Sequence, residues 1–285
     1  MRRLWILHHY ATLPNLNGHI RPYRFAKHLA EKEIETTIFA ASFQHFSGDN
    51  LIIDSSKFRI DVSCNVPFAF VRTPSSASGG FARVRNMLSF YHGLFGCTKQ
   101  YSKQNGKPDV VLASSPQPLV MVAGIRIAKK YGVPCICEVR DLWPEAIFTA
   151  SGIKAKSLLG RTLTYGEYWI YRHADALIFT KEGDTDYLKE KGWTTSQGGE
   201  IDLAKCHYIN NGIDLKEYDR QKSENKLDDA ELADNTFKVV YTGAIRPVNN
   251  VGNILDAAKL LIDNDDIKFL IYGDGSEKAH LEARV

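Results

Sequence analysis

Apolar residues in this chain gather into short unbroken runs instead of alternating with polar ones. "RLWILHHY" near the N-terminus, "ETTIFAAS" at 35–42, "DVVLASS" at 109–115, "VPCICEV" and "DALIFT" each read as a strand. "KCHYI" reads as one more short strand before "NNGID". The stretches between carry helix signals. "RPYRFAKHLAEK" has Pro22 in its first turn and places Phe25 and Leu29 four apart, on one face. "PQPLVMVAGIRIAKKYG" stops at Gly132 and "KEGDTDYLKEKG" at Gly192. Continuous apolar strands separated by helices are the pattern of a parallel sheet covered on both faces.

The pattern breaks once. Residues 215–236, "LKEYDRQKSENKLDDAELADNT", are charged and poor in large apolar groups, which is the composition of an inter-domain linker. Alternation then restarts with "FKVVYTG", a helix over 249–263, "IKFLIYG" and a helix from 276. The expected fold class is therefore α/β, with two Rossmann-like doubly wound domains, 1–214 and 237–285, the second incomplete.

Composition narrows the classes. The chain of 285 residues is 44% hydrophobic and 24% charged, as in ordinary globular proteins, and its net charge of +3 is too small to point to nucleic acid. The five cysteines, Cys64, Cys97, Cys135, Cys137 and Cys206, form no C-x-x-C, which argues against zinc. Cys135 and Cys137 alternate along one strand and are expected as packed thiols on one face. "MRRLWILHHYATLPN" lacks the apolar stretch of a signal peptide, and no apolar run reaches the length of a membrane span. The chain reads as cytoplasmic.

In parallel sheets ligands bind at the carboxyl ends of the strands, so the residues just after each strand carry the candidate chemistry. These are His8, His9 and Tyr10 with the loop of Gly18 and Arg21; Arg140, Asp141, Trp143 and Glu145; Gly243 and Arg246; and Gly273, Asp274 and Gly275. Each also has a purely structural reading. His9 serves as a satisfied structural group or as a functional one. Arg140 and Asp141 pair with neighbours or line a site. Gly243 ends a strand, or joins Arg246 and a helix start in an anion site, where free N–H groups and the helix dipole favour a phosphate. "GDGS" at 273–276 lacks the third glycine of a dinucleotide fingerprint, which argues against a dinucleotide-dependent oxidoreductase, and no P-loop occurs.

Between Asp61 and Asp109 there is no acidic residue, whereas Arg72, Arg83, Arg85, Lys99, Lys103 and Lys107 all lie there. Within it Phe81, Val84, Leu88, Tyr91 and Phe95 follow spacings of 3, 4, 3 and 4 and share one helical face. That face either packs on the core beneath a solvated basic side, or lies on an anionic membrane surface.

Together these motifs resemble family 4 of the retaining glycosyltransferases, which have the GT-B fold, in the branch that makes bacterial surface polysaccharides. "HYA" with "GHIRPYRFAKHL" is similar to that family's first strand and glycine loop, and "EVRDLWPEA" to its strand-end block. "YRHADALIFTKEGDTDYLKEKG" with "HYINNGID" resembles the end of the N-terminal domain, while "YTGAIRPVNNVGNILDAAKLL" and "IYGDGSEKAHLE" resemble the first βα units of the donor-binding domain.

The resemblance implies transfer of a hexosyl or N-acetylhexosaminyl group, with retention, from a UDP- or GDP-linked sugar to a saccharide or lipid-linked saccharide. It implies no metal and no cofactor, and peripheral contact with the inner face of the membrane. Gly18, Gly243, Arg246 and Gly273 become donor-binding, and Tyr10, Arg21, Arg140 and Glu145 acceptor-binding. Asp141 and His9 become the catalytic candidates. Many members carry an arginine directly after the glycine and a lysine about five residues on; Ala244 and Asn249 stand there in this chain. The family's pair of glutamates, seven residues apart, is expected beyond residue 285, so the chain reads as C-terminally truncated and inactive on its own. A non-catalytic sugar- or nucleotide-binding module remains the alternative.

Overall fold

The computed structural model describes residues 2–16, 18–77 and 79–285. They divide into two compact units, one ending at Gly212 and the other spanning Ile213–Val285.

The first unit is built on eight strands: β1 (Arg2–His8), β2 (Ile34–Ala41), β3 (Phe58–Asp61), β4 (Phe68–Val71), β5 (Val110–Ser114), β6 (Cys135–Val139), β7 (Ala176–Phe179) and β8 (Cys206–Tyr208). They lie in the order β3-β4-β2-β1-β5-β6-β7-β8. Every neighbouring pair is parallel except β3 and β4. Register places Ile6 of β1 between Ile38 of β2 and Leu112 of β5. The helices are α1 (Arg21–Ala30), α2 (Gly80–Asn105), α3 (Pro118–Tyr131), α4 (Glu145–Ser151), α5 (Leu158–His173) and α6 (Asp184–Glu190).

Because successive side chains of a strand point to opposite faces, β1 feeds two cores. Trp5 and Leu7 join Phe39, Val71, Val111 and Cys137 beneath α2, α3 and α5. Leu4 and Ile6 join Ile38, Phe68, Phe70 and Leu112 beneath α1. The apolar runs are unbroken because both faces of every central strand are covered. Cys135 and Cys137 are buried free thiols on the Trp5 side, as packed thiols should be.

The long helix corrects one expectation. α2 buries Asn86, Phe90, Leu94, Cys97 and Tyr101, a stripe neighbouring the Phe81–Phe95 face read from the sequence. Phe81 is 82% exposed, Val84 and Leu88 are exposed, and only Tyr91 and Phe95 pack in part on the core. Both stripes have helical spacing. The core stripe is the one that continues into the second half of the helix, where Gly93 meets Val71 and Tyr101 meets Trp5.

The second unit pairs β9 (Phe237–Thr242) with β10 (Ile267–Tyr272) in parallel, with α9 (Gly252–Leu260) between them and α10 (Lys278–Glu282) after. Its buried apolar core is Ile245, Val251 and Leu281. The charged stretch expected as a linker instead carries α7 (Leu215–Glu224) and α8 (Ala230–Ala233). Polar contacts tie its later part, 229–234, to β10: Lys268 Nζ reaches Glu231 at 2.9 Å and Asp234 at 2.6 Å, and Tyr272 donates to Asp229 at 2.6 Å.

Candidate functional site

Strand order in the first unit reverses direction between β1 and β5: β2, β4 and β3 lie beyond one, β6 to β8 beyond the other. The loops leaving two such central strands diverge and open a crevice at their carboxyl ends. His8, His9 and Tyr10 leave β1 there, Ser115 leaves β5 and Arg140 leaves β6.

Arg140 organises this end. Its backbone N–H donates to Ser115 Oγ at 2.8 Å, and its Nη1 lies 3.2 Å from both His8 Nε2 and His19 Nδ1. A guanidinium only donates, so both facing ring nitrogens carry lone pairs. The Tyr10 amide also lies 3.2 Å from His8 Nδ1, but a neutral imidazole has one lone pair, and the charged donor takes it. Burial first, then the Arg140 charge, hold His8 well below the ordinary imidazole pKa. The same causes, joined by His45, lower His19 to about 4. Both rings are neutral at pH 7.

His9 is set by a different partner. Asn86 Nδ2 donates to the Pro74 carbonyl at 2.5 Å, which fixes the amide so that its oxygen faces His9 Nε2 at 2.6 Å. The proton of His9 therefore sits on Nε2, and Nδ1 keeps a lone pair with no hydrogen-bond partner among the described residues. Burial lowers the ring to about 4 even though Asn86 works the other way.

Arg21 has no donor left for a ligand. Nε donates to Glu138 Oε1 at 3.0 Å and Nη2 lies 3.0 Å from the same oxygen. Nη1 reaches the Asn210 carbonyl and Asn211 Oδ1 at 2.8 and 3.1 Å, and Nη2 the Ile209 carbonyl at 2.8 Å. Glu138, 2% exposed, also accepts from Ser114 Oγ at 2.5 Å. In this geometry Arg21, expected as acceptor-binding, locks β6 to the 209–211 segment. Gly18 is likewise explained by packing. Its φ is +154°, and a Cβ would lie 2.6 Å from Thr12 Cγ2.

The other candidates of this unit separate. Tyr10 is half-buried, its ring 4.5 Å from His9 and 5.6 Å from His45 between centroids. Asp141 pairs with Lys181 at 3.2 Å, both exposed, a contact of about 1 kcal/mol or less that a ligand can displace. Glu145 turns to α6, where Lys191 Nζ lies at 2.7 Å and Tyr187 Oη at 3.3 Å. Tyr187 and Tyr171 each donate at 2.8 Å to the buried Glu167, whose pKa burial raises to about 8.

In the second unit Gly243, Gly273 and Arg246 lie on two interlocked loops. Gly243 N–H donates to the Tyr272 carbonyl at 3.0 Å and Ile245 N–H to the Asp274 carbonyl at 2.9 Å. A Cβ on Gly273 would lie 1.9 Å from the Gly243 carbonyl oxygen, so only glycine fits. Arg246 is exposed and precedes the 3-10 turn Pro247–Asn249 ahead of α9; its carbonyl accepts from Asn249 N–H at 2.9 Å, while its side chain has no hydrogen-bond or ion-pair partner among the described residues. Among those residues no three His, Cys, Asp or Glu converge as metal ligands, and no helix is long and apolar enough to cross a membrane.

Sequence reasoning passed over Glu138, Asn86, His19, Ser115 and Lys181. Glu138 alone left a signal, as a carboxylate inside an apolar strand that must find a buried cation.

A doubly wound parallel sheet with polar strand ends, followed by a further βα unit, is the architecture of the GT-B glycosyltransferases. Residues 19–197 match the glycosyl transferase 4-like domain, well over half of the chain, and the protein belongs to that family. No curated protein matches the sequence significantly. Among solved structures, the catalytic domain of Arabidopsis thaliana starch synthase IV bound to ADP and acarbose is similar, with 12% identity and a TM-score of 0.57 over 99% of this chain and 70% of that one. Anabaena HepE in complex with UDP gives 12% identity and 0.58 over 100% of this chain and 64% of that one. The UDP-forming α,α-trehalose-phosphate synthase of Burkholderia vietnamiensis gives 12% and 0.55 over 99% and 67%. At such identity the likeness is one of fold. This chain spans 64–70% of the length of these three.

Proposed function

We propose that the protein takes part in transferring a hexosyl or N-acetylhexosaminyl group from a UDP- or GDP-linked donor to a lipid-linked saccharide in cell-surface polysaccharide synthesis, with retention. The single observation that carries this reading is the unpartnered Arg246 side chain ahead of the 3-10 turn that leads to α9, in a chain of the glycosyl transferase 4-like family. The second unit takes the donor. As the bond from the sugar to the diphosphate breaks, the electron pair leaves with the diphosphate, and a cation placed there stabilises the growing charge. The first unit takes the acceptor. Asp141 offers an exposed carboxylate to orient sugar hydroxyls, and neutral His9 a buried acceptor at Nδ1 that a hydroxyl reaches only by displacing its cover. The nucleotide-sugar is substrate, and the reading needs no metal or cofactor.

A lipid-linked acceptor calls for contact with the inner membrane face. The exposed Phe81, Val84 and Leu88 beside exposed Arg83 and Arg85 support that placement. The decisive experiment is calorimetric titration of the chain with UDP, GDP and NAD, together with sedimentation on anionic vesicles. UDP or GDP should bind and NAD should not. Vesicle binding should weaken with salt and in Arg83→Glu with Arg85→Glu. Binding of NAD alone overturns the donor reading, and salt-independent vesicle binding overturns the membrane contact.

A further inference from the structure

A groove of about 410 Å3 lies on the first unit, between the turn before α5, the first half of α5 and the segment after α6. None of its lining residues belongs to the strand-end cluster. Tyr165, Tyr168 and Trp193 supply aromatic faces, and Lys156, Arg161 and Lys191 supply cations; the lining contains no carboxylate and no glycine.

The aromatic floor is fixed from below. Trp193 packs on Tyr168 at 5.3 Å, Tyr187 at 5.9 Å and Tyr171 at 6.3 Å between centroids. Tyr165 stands 67% exposed at the rim. The cations differ among themselves. Lys191 is held by Glu145 at 2.7 Å and over the Tyr187 ring at 5.0 Å. Lys156 and Arg161 are exposed, and their side chains have no hydrogen-bond or ion-pair partner among the described residues.

We propose that this groove binds an acidic saccharide, a stretch of glycan carrying uronic-acid carboxylates. The C–H faces of pyranose rings are weakly positive and lie well on the negative faces of aromatic rings. Carboxylates pair with lysine and, in bidentate fashion, with arginine. A nucleotide fits less well, because the lining has no glycine-rich run of free N–H groups to cradle phosphates. The groove therefore holds a charged glycan apart from the strand-end crevice. This goes beyond the transfer reaction, since binding here requires neither donor nor turnover.

The test is calorimetry on the full chain at low salt, with trigalacturonate as the acidic probe, maltotriose as the neutral one, and inorganic phosphate as the bare anion. Trigalacturonate should bind best, and its affinity should fall with salt. Lys156→Glu with Arg161→Glu should weaken it about tenfold or more, and Tyr165→Ala several-fold. These side chains are exposed, so the fold is retained. Unchanged affinity in both variants overturns the proposal, as does phosphate binding as tightly as trigalacturonate. Displacement of trigalacturonate by UDP assigns the groove to nucleotides and also overturns it. UDP affinity should be the same in the charge-reversed variant as in the wild type. A chain that binds UDP but not trigalacturonate therefore sinks this inference alone, and the converse sinks only the donor reading.

Discussion

Arg21 in the first unit and Arg246 in the second each follow a loop glycine by three residues, yet Arg21 gives every donor to protein acceptors and Arg246 gives none. Burial makes the difference. Arg21 faces Glu138, which is 2% exposed, and a charge removed from water must be paired. Arg246 stands in solvent, where an unpaired guanidinium costs nothing and stays available to an incoming anion. The comparison teaches that an arginine after a loop glycine serves architecture or recognition according to what already sits beneath it. At the strand end of the first unit Arg21 is fully paired while His9 Nδ1 is left without a partner among the described residues; the turn of the second unit holds its cation in reserve.

The strongest way to break this contrast is Arg21→Ala. It leaves Glu138 buried and uncompensated, and should cost about 3–5 kcal/mol in urea unfolding. A loss under about 1 kcal/mol would mean that the pair is not structural.

Glu167 sharpens the same point, because it is a buried carboxylate with two phenols as partners in place of a guanidinium. Burial raises its pKa from 4.5 to about 8. Below pH 4.5 folded and unfolded chains are both protonated there. As pH rises towards 8 the unfolded chain releases the proton and the folded one keeps it, so stability falls, by on the order of 3 kcal/mol at pH 7. Lowered histidines give the opposite slope, with stability lost as pH falls from 6.5 to about 4. Comparing Glu167→Gln with the wild type cancels the histidines. The variant should lose the decline between pH 4.5 and 8, and an identical slope in both proteins would show that burial does not hold the proton.

Arg246→Ala probes the other half of the contrast. It should leave the melting temperature unchanged, since the side chain touches no partner, and weaken UDP binding about tenfold. A drop in melting temperature with unchanged UDP affinity would reverse the two roles.

How much of this was legible in the sequence depended on range. The central strands announced themselves because both faces are covered, so every residue in "TTIFAA" or "VVLAS" is apolar or small. The edge strand β3 did not, because "FRID" is a half-exposed antiparallel strand with two charges. Helix α5 was hidden by Gly160 and Gly166 and by tyrosines that blur its apolar period. The site divided the same way. His9, Arg140 and Arg246 were visible as polar groups directly after strands. The partners that decide their state were not, since Asn86 lies 77 positions from His9 and Glu138 lies 117 from Arg21. Local spacing carries no information about such pairs; only the closed sheet does.

Asn86 gives the smallest and most specific of these effects. Its amide is oriented by the Pro74 carbonyl, so its oxygen can only accept from His9 Nε2–H. Nitrogen-15 spectra of the wild type should therefore show a protonated Nε2 and a bare Nδ1 on His9, with no titration between pH 8 and 5, because the ring titrates at about 4. Asn86→Asp places a carboxylate at the same point and favours the imidazolium, so the midpoint should move upwards and the ring should begin to charge within that window. Asn86→Ala removes the acceptor without adding charge, and should release the tautomer while leaving the ring neutral. If the wild type instead carries its proton on Nδ1, the lone pair proposed for a sugar hydroxyl does not exist. His9 would then be a packed structural group, and the internal satisfaction of this strand end would be complete without a ligand.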